Sequence, residues 1–141
     1  MIKAASIITM VAGIVLVITG IGTWYTVSTT LADQNIVTPD DACLPGREVN
    51  GPATAFCQAD IINTHTQDAT GGKTYAELDR DDPLRQTAMT SSFLQASLFT
   101  SVVAFGISAM AIGIGVVFIF LGLAVMRLVP REEPAPKEEP A

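Results

Sequence analysis

Residues 97–126, SLFTSVVAFGISAMAIGIGVVFIFLGLAVM, decide the fold. They carry no charged side chain, and the charge-free stretch reaches back past Thr87, as far as Arg85. About 20 apolar residues in a helix cross the hydrocarbon core of a bilayer. Ala4 to Val27, also without a charge, is a second stretch of sufficient length. Between the two, residues 28–96 hold ten Asp/Glu against four Lys/Arg. Two apolar spans around an acidic, polar middle predict an all-α membrane protein: a two-helix transmembrane hairpin with a small, mainly helical extracytoplasmic insert.

The expected divisions are a first transmembrane helix over 1–27, an insert over 28–96, a second transmembrane helix over 97–129 and a tail over 130–141. The first span is read as a retained anchor and not a cleaved signal. Its apolar run is nearer 20 residues than the roughly 7–15 of a signal peptide, and Thr30-Leu31-Ala32 is a poor cleavage triplet. Lys3 lies before the first span, and Arg127 and Arg131 follow the second. Basic residues favour the cytoplasmic side. Both termini are therefore expected in the cytoplasm of a multi-pass plasma-membrane protein, with residues 28–96 outside.

Both cysteines, Cys43 and Cys57, fall in the insert. An oxidising compartment permits a disulfide. A loop of this size would contribute about 3 kcal/mol in the chain-entropy account. A segment with so little core gains from such a staple. The alternative is two free thiols in one loop.

Small or hydroxyl residues recur along both spans at alternating intervals of three and four, interrupted only by Leu16 in the first and Phe118 in the second: Ser6, Thr9, Gly13, Gly20 and Thr23, and Ser97, Ser101, Ala104, Ser108, Ala111, Gly115 and Gly122. Such stripes let helix backbones approach closely in lipid. They are expected to form a seam between the spans, or between one span and another protein. Trp24 and Tyr25 are placed as interfacial anchors. Neither span carries an ionisable group in its core, which argues against a transporter, pump or selective channel.

Within the insert, Pro39, Pro45, Gly46 and Gly51 mark turns, with one short strand expected near residues 35–37. Pro52 to about Ala69 reads as a helix, opened by its proline and stopped by Gly71-Gly72. The run Gly71-Gly72-Lys73-Thr74 imitates the end of a phosphate loop. A true one needs glycine where this chain has Gln67, between a strand and a helix. The reading here is mechanical: a helix stop, followed by Thr74-x-x-Glu77 as a capping box. Asp82-Pro83 opens a stalk helix that runs into the second span and projects about 15–20 Å beyond the bilayer at 1.5 Å per residue. Pro130 to Ala141, rich in Pro and Glu, is expected to be disordered.

Catalytic chemistry finds few candidates. His65 is the single histidine. It stands near Asp60 and Asp68, but non-haem iron sites use two His and a carboxylate and catalytic zinc uses three protein ligands. Asp79, Asp81 and Asp82 lack the spacing of a calcium loop. No nucleophile motif is present. Neither an enzyme nor a cofactor nor a resident metal is expected.

The strings TLADQNI (30–36), VNGPATAFCQADIIN (49–63), ATGGKTYAELDRDDP (69–83) and SSFLQASLFTSVVAFG (91–106) resemble a group of small two-span membrane proteins of actinobacteria such as mycobacteria and streptomycetes. Many of these carry the automatic label "aromatic ring-opening dioxygenase" subunit. The resemblance runs nearly to Arg127. It implies an actinobacterial plasma membrane and brings no activity and no catalytic residues. The label is read as a misnomer, because the chain cannot supply the two histidines of such an iron site.

The expected role is that of a non-enzymatic accessory or structural subunit of a larger envelope complex, in transport or respiration. Its partners would be the lipid bilayer and other integral membrane proteins or a second copy, with no nucleic acid or nucleotide. The alternative is a stand-alone extracytoplasmic module whose acids around Asp60, Asp68 and Asp79–Asp82 meet a cation or a basic ligand. That alternative requires a concave, partly apolar pocket in the insert.

Overall fold

Three helices account for nearly all regular structure in the computed structural model, which describes residues 1–128. The tail expected to be disordered lies outside those residues. The helices are α1 (Ile2–Ala32), α2 (Pro52–Thr70) and α3 (Leu84–Leu128). No strand occurs among the described residues; the expected one near 35–37 reduces to an isolated antiparallel bridge between Val37 and Glu48. α1 and α3 are each long and apolar enough to cross a membrane.

The two long helices run antiparallel and touch through glycine. A Cβ built on Gly13 would lie 2.5 Å from the carbonyl oxygen of Gly115, and one on Gly122 would lie 2.8 Å from that of Ser6. One on Gly20 would meet the Ser108 carbonyl oxygen at 2.9 Å. The facing residues therefore advance by seven on each helix: Ser6, Gly13, Gly20 against Gly122, Gly115, Ser108. A strict seven-residue interval is the pattern of a left-handed coil, in which one seam faces its partner throughout. Larger residues interleave with the small ones. Val17 and Ile119 flank the Gly13–Gly115 contact, while Met10 lies against Gly122 and Ile112 against Gly20. The buried hydroxyls of Ser6 and Ser108 donate to carbonyls four residues back, Ile2 at 3.0 Å and Ala104 at 2.8 Å. Polar atoms in the seam are thus satisfied within their own helix.

α1 does not stop at Val27. It continues to Ala32, and its last turn enters the insert, where buried Leu31 joins Val49, Ala55, Ala59, Leu98 and Phe105 in one apolar cluster. α2 begins at its proline as expected and ends in a left-handed Gly71, with the Gly72 N–H donating to the Gln67 carbonyl at 2.8 Å. This is a Schellman stop, and Gln67 is helical, so the glycine pair terminates a helix and no phosphate loop forms. The next capping box is half made. The Thr74 N–H and hydroxyl both donate to Glu77 Oε2 at 2.8 Å, and only a turn follows. Asp82 Oδ1 accepts from the Leu84 N–H at 2.8 Å and opens α3.

α2 packs on α3 and not on α1. Its buried residues include Ala55 and Ala59 on one side and Cys57 and Ile61 on the other. Phe56 lies edge-on to Phe99 at 6.0 Å between centroids. A hydroxyl pair, Thr66 with Ser91, fastens the far end of the α2–α3 contact.

Candidate binding cavity

Between α1 and α2, both held to the same third helix, a gap remains. Its volume is about 620 Å³, within the range usual for small-molecule sites. The helix sequences account for it. In the close register, Ser6, Gly13 and Gly20 are followed seven residues on by Val27 and then Gln34; across from them, Gly122, Gly115 and Ser108 are followed by Ser101 and Leu94. Backbones meet where both partners are Gly or Ser, and side-chain bulk separates them beyond that point. Val27, Gln34, Leu94 and Ser101 all line the cavity.

The lining is apolar with a few hydrogen-bonding groups, and it contains no ionisable side chain. α1 contributes Thr26, Val27, Thr30 and Leu31, the segment after it Gln34 and Ile36, α3 contributes Leu94, Ser97, Leu98 and Ser101, and α2 contributes Gln58 and Ile62 at a four-residue interval. Two hydroxyls are already committed: Thr26 donates to the Gly22 carbonyl at 2.9 Å and Ser101 to that of Ser97 at 3.1 Å. Gln58 differs. Its Oε1 is buried and has no hydrogen-bond partner, alone among the buried side-chain polar atoms of the described residues. Leaving an acceptor so costs about 1–3 kcal/mol.

Of the residues expected in the seam, Gly13, Gly20, Ser108 and Gly115 are buried between α1 and α3. Ser101, Ala104 and Ala111 are half-buried, and Ser97 is exposed and lines the cavity. Ser108, Gly115 and Gly122 of the expected α3 stripe are buried, and the column beside them is turned by one residue. Leu98 and Phe105 are buried where Ser97 and Ala104 were expected to make the contact. Thr23 points away, exposed. Trp24 packs edge-on to Phe105 at 4.8 Å between centroids, so it is a packing residue as well as an end marker, while Tyr25 is exposed.

Cys43 and Cys57 form a disulfide with Cα atoms 5.4 Å apart. It ties the loop after α1 to the first turns of α2. The loop is closed further by Thr38, whose N–H donates to the Arg47 carbonyl and whose hydroxyl accepts from the Arg47 N–H, both at 2.9 Å. The Ser28 hydroxyl donates to the Asn50 carbonyl at 2.6 Å, joining α1 to the same loop.

The acids do not converge. Among the described residues no group of three or more His, Cys, Asp or Glu side chains is placed to hold a metal ion. His65 does not meet Asp60 or Asp68. Its Nε2 lies 2.6 Å from Asp41 Oδ2, a pairing between α2 and the disulfide loop. The hydrogen bond from His65 holds the Asp41 carboxyl below its ordinary value. Sequence periodicity missed Gln58 and Ile62, because a cavity wall needs no regular apolar repeat. The signal that could have found them is the Val27–Gln34 break in the small-residue register. Family profiles, curated proteins and solved structures were compared with the chain, and none matches.

Proposed function

We propose that the protein is a two-span integral membrane protein, both termini cytoplasmic and the insert outside, which works by binding an amphipathic molecule in the cavity and not by catalysis. The observation that carries the binding role is the cavity itself: about 620 Å³, walled mostly by apolar groups and free of ionisable side chains. Its wall offers no acid, base or nucleophilic thiol for chemistry. The seam that could have received another protein is occupied by the α1–α3 contact.

Membrane placement is supported by the direction in which apolar side chains face. Only 17% of the most apolar window of α1 and 11% of that of α3 is buried, the reverse of a core helix in a water-soluble protein. Ile8, Ile18, Val117 and Phe120 all point outward. In this placement Lys3 and Arg127 share the cytoplasmic side. The cavity begins at Thr26, one residue past Trp24 and Tyr25, and so lies at headgroup level. Ala104 faces Trp24 in the seven-residue register, so α3 continues 20 residues beyond that level, about 30 Å, further than the expected stalk.

Native mass spectrometry of the full chain, extracted in mild detergent, tests the binding role. A lipid-sized adduct is expected, and Ser97→Trp, which fills the cavity from an exposed position, is expected to lose it. Absence of any bound amphiphile overturns the role. Labelling Lys73→Cys with a membrane-impermeant maleimide in intact cells tests the orientation, which fails if labelling requires permeabilisation.

A second reading, as an accessory subunit of a larger envelope complex, is favoured by the charge of the insert. Of its ten carboxylates only Asp41 has an ion-pair partner among the described residues. The remaining acids form a field of one sign that would draw a basic partner. Salt-sensitive co-purification of a basic membrane protein with a tagged copy is the expected result; a lone chain at low salt removes this reading.

A further inference from the structure

We infer that the cavity takes a neutral amphiphile whose head accepts hydrogen bonds, an ester or similar carbonyl on an apolar chain. The hydroxyls of Thr30 and Ser97 and the amide N–H of Gln34 are the donors that hold it. This ligand class rests on the binding role just proposed.

The first observation is which donors are already spent. Ser and Thr hydroxyls in a helix can donate to a carbonyl about one turn back, and those around the cavity do so. Thr26 donates to Gly22 at 2.9 Å and Thr29 to Tyr25 at 3.0 Å. On α3, Thr100 donates to Ala96 at 2.7 Å and Ser101 to Ser97 at 3.1 Å. Thr30 and Ser97 differ. Neither side chain, nor that of Gln34, has a hydrogen-bond partner among the described residues, and all three line the cavity. They also share a level. In the seven-residue register Leu31 faces Ser97, so Thr30 and Ser97 stand across from each other on α1 and α3. Gln34 follows Thr30 by four residues. Gln58 Oε1 is sealed inside the fold and takes no part.

The second observation is charge. Residues 28–96 hold ten Asp/Glu against four Lys/Arg, and none of these lines the cavity. An anionic head would enter a field of its own sign and shed hydration with no counter-charge to replace it. An ammonium head has three donors and no acceptor, so it leaves the two hydroxyl protons and the amide N–H unmatched. An ester offers acceptor oxygens and carries no charge.

The third observation is where the open donors lie. Thr26 and Ser101, with their hydroxyls spent, are one turn nearer the Trp24–Phe105 pair than Thr30 and Ser97. Val27 and Leu98 share that lower part of the wall. The side toward the bilayer therefore suits an apolar chain, and the outer side suits the accepting head. A lipid of the outer leaflet already has this orientation in the membrane placement proposed above, so the ligand is drawn from the bilayer and not from water.

The test uses the full-length chain in vesicles and four photoactivatable probes of one chain length, dissolved in the bilayer at equal mole fraction. They are a methyl ester, the parent hydrocarbon, an alkyl sulfonate and a primary alkylammonium. The ester is expected to label peptides covering residues 26–36 and 94–101 about tenfold more strongly than any other probe, the gain from one or two net hydrogen bonds. Thr30→Val, Gln34→Leu and Ser97→Ala combined, all at exposed positions and checked by an unchanged melting profile, are expected to bring the ester down to the level of the hydrocarbon. Ser97→Ala alone, the mildest of these changes, is expected to lower the preference about threefold. Thr100→Val, which removes a spent hydroxyl outside the cavity, is expected to leave the preference intact. Equal labelling by ester and hydrocarbon, stronger labelling by either charged probe, or a preference unchanged in the combined variant overturns the ligand class and leaves the binding role standing. Failure of every probe to label the cavity overturns both. Labelling by ester added from water, but not by the same ester already in the bilayer, overturns the membrane source.

Discussion

Gly13 and Gly115 face each other backbone to backbone: a Cβ on Gly13 would stand 2.5 Å from the Gly115 oxygen, and one on Gly115 would stand 2.6 Å from the Gly13 oxygen. Atoms do not approach that closely, so any side chain here must push α1 from α3. Gly13→Ala and Gly115→Ala are each expected to cost about 1–3 kcal/mol, the range for inserting a methyl into a tight core. Gly106 and Gly113 in the same helix are the matched controls, because a Cβ on either meets nothing within 4 Å. There alanine favours the helix by up to about 1 kcal/mol. Melting of the four variants in one detergent separates the pairs; equal effects at all four positions would contradict the close seam.

The Cys43–Cys57 bridge constrains a loop that otherwise depends on a few hydrogen bonds around Thr38. Breaking it should loosen the insert without unzipping the hairpin. Paired Cys43→Ser and Cys57→Ser substitution is expected to cost about 2–4 kcal/mol. Hydrogen exchange is the discriminating measurement. Amides of residues 36–62 should lose protection in the reduced or substituted protein, while those of Gly13 and Gly115 stay slow.

The acidic insert also carries a pH dependence whose sign follows from two carboxyls. Asp41 is lowered chiefly by its hydrogen bond with His65, and Glu77 chiefly by the Thr74 N–H. A carboxyl held below its unfolded value stabilises the fold above that value and ceases to do so as pH falls through the folded one. The ordinary values are 3.8 for Asp41 and 4.5 for Glu77, so this contribution is present at neutral pH and declines on acidification below about pH 4.5. Both groups are fully exposed, so the effect is small. Asp41→Asn should flatten the decline between the ordinary Asp value and stronger acid, read as the melting temperature of the insert against pH. An unchanged slope would show that the His65 pairing does not persist in solution.

Much of this architecture was legible because its determinants are local. Pro52 and Gly71 bound α2 by backbone geometry alone, and Asp82 caps α3 through its own side chain, so short strings suffice to place those ends. Glycine spacing announced the seam for a similar reason, since close helix approach in an apolar setting requires small residues at fixed intervals. What the sequence withheld was rotation. Whether Ser97 or Leu98 faces α1 depends on one residue of helical phase, and only the partner helix fixes it. The cavity was hidden for a related reason. It arises where two helices fail to touch, and nothing in Gln58 or Ile62 taken singly distinguishes a wall from a surface.

Phe105 marks the point where the close seam ends and the cavity region begins. It is 1% exposed, the largest fully buried side chain of the described residues, and it holds the single Trp24 edge-on. Truncating it removes packing from both α1 and the apolar cluster around Leu31 and Leu98. Phe105→Ala is expected to cost about 3–5 kcal/mol, and Phe105→Leu markedly less because most of the volume is kept. Trp24 provides a built-in reporter, since no other tryptophan contributes to the emission. Its spectrum should shift in Phe105→Ala, where the ring loses its edge contact, and shift less in Phe105→Leu. A Trp24 spectrum indifferent to both substitutions would mean that the upper part of the hairpin is not packed through this pair.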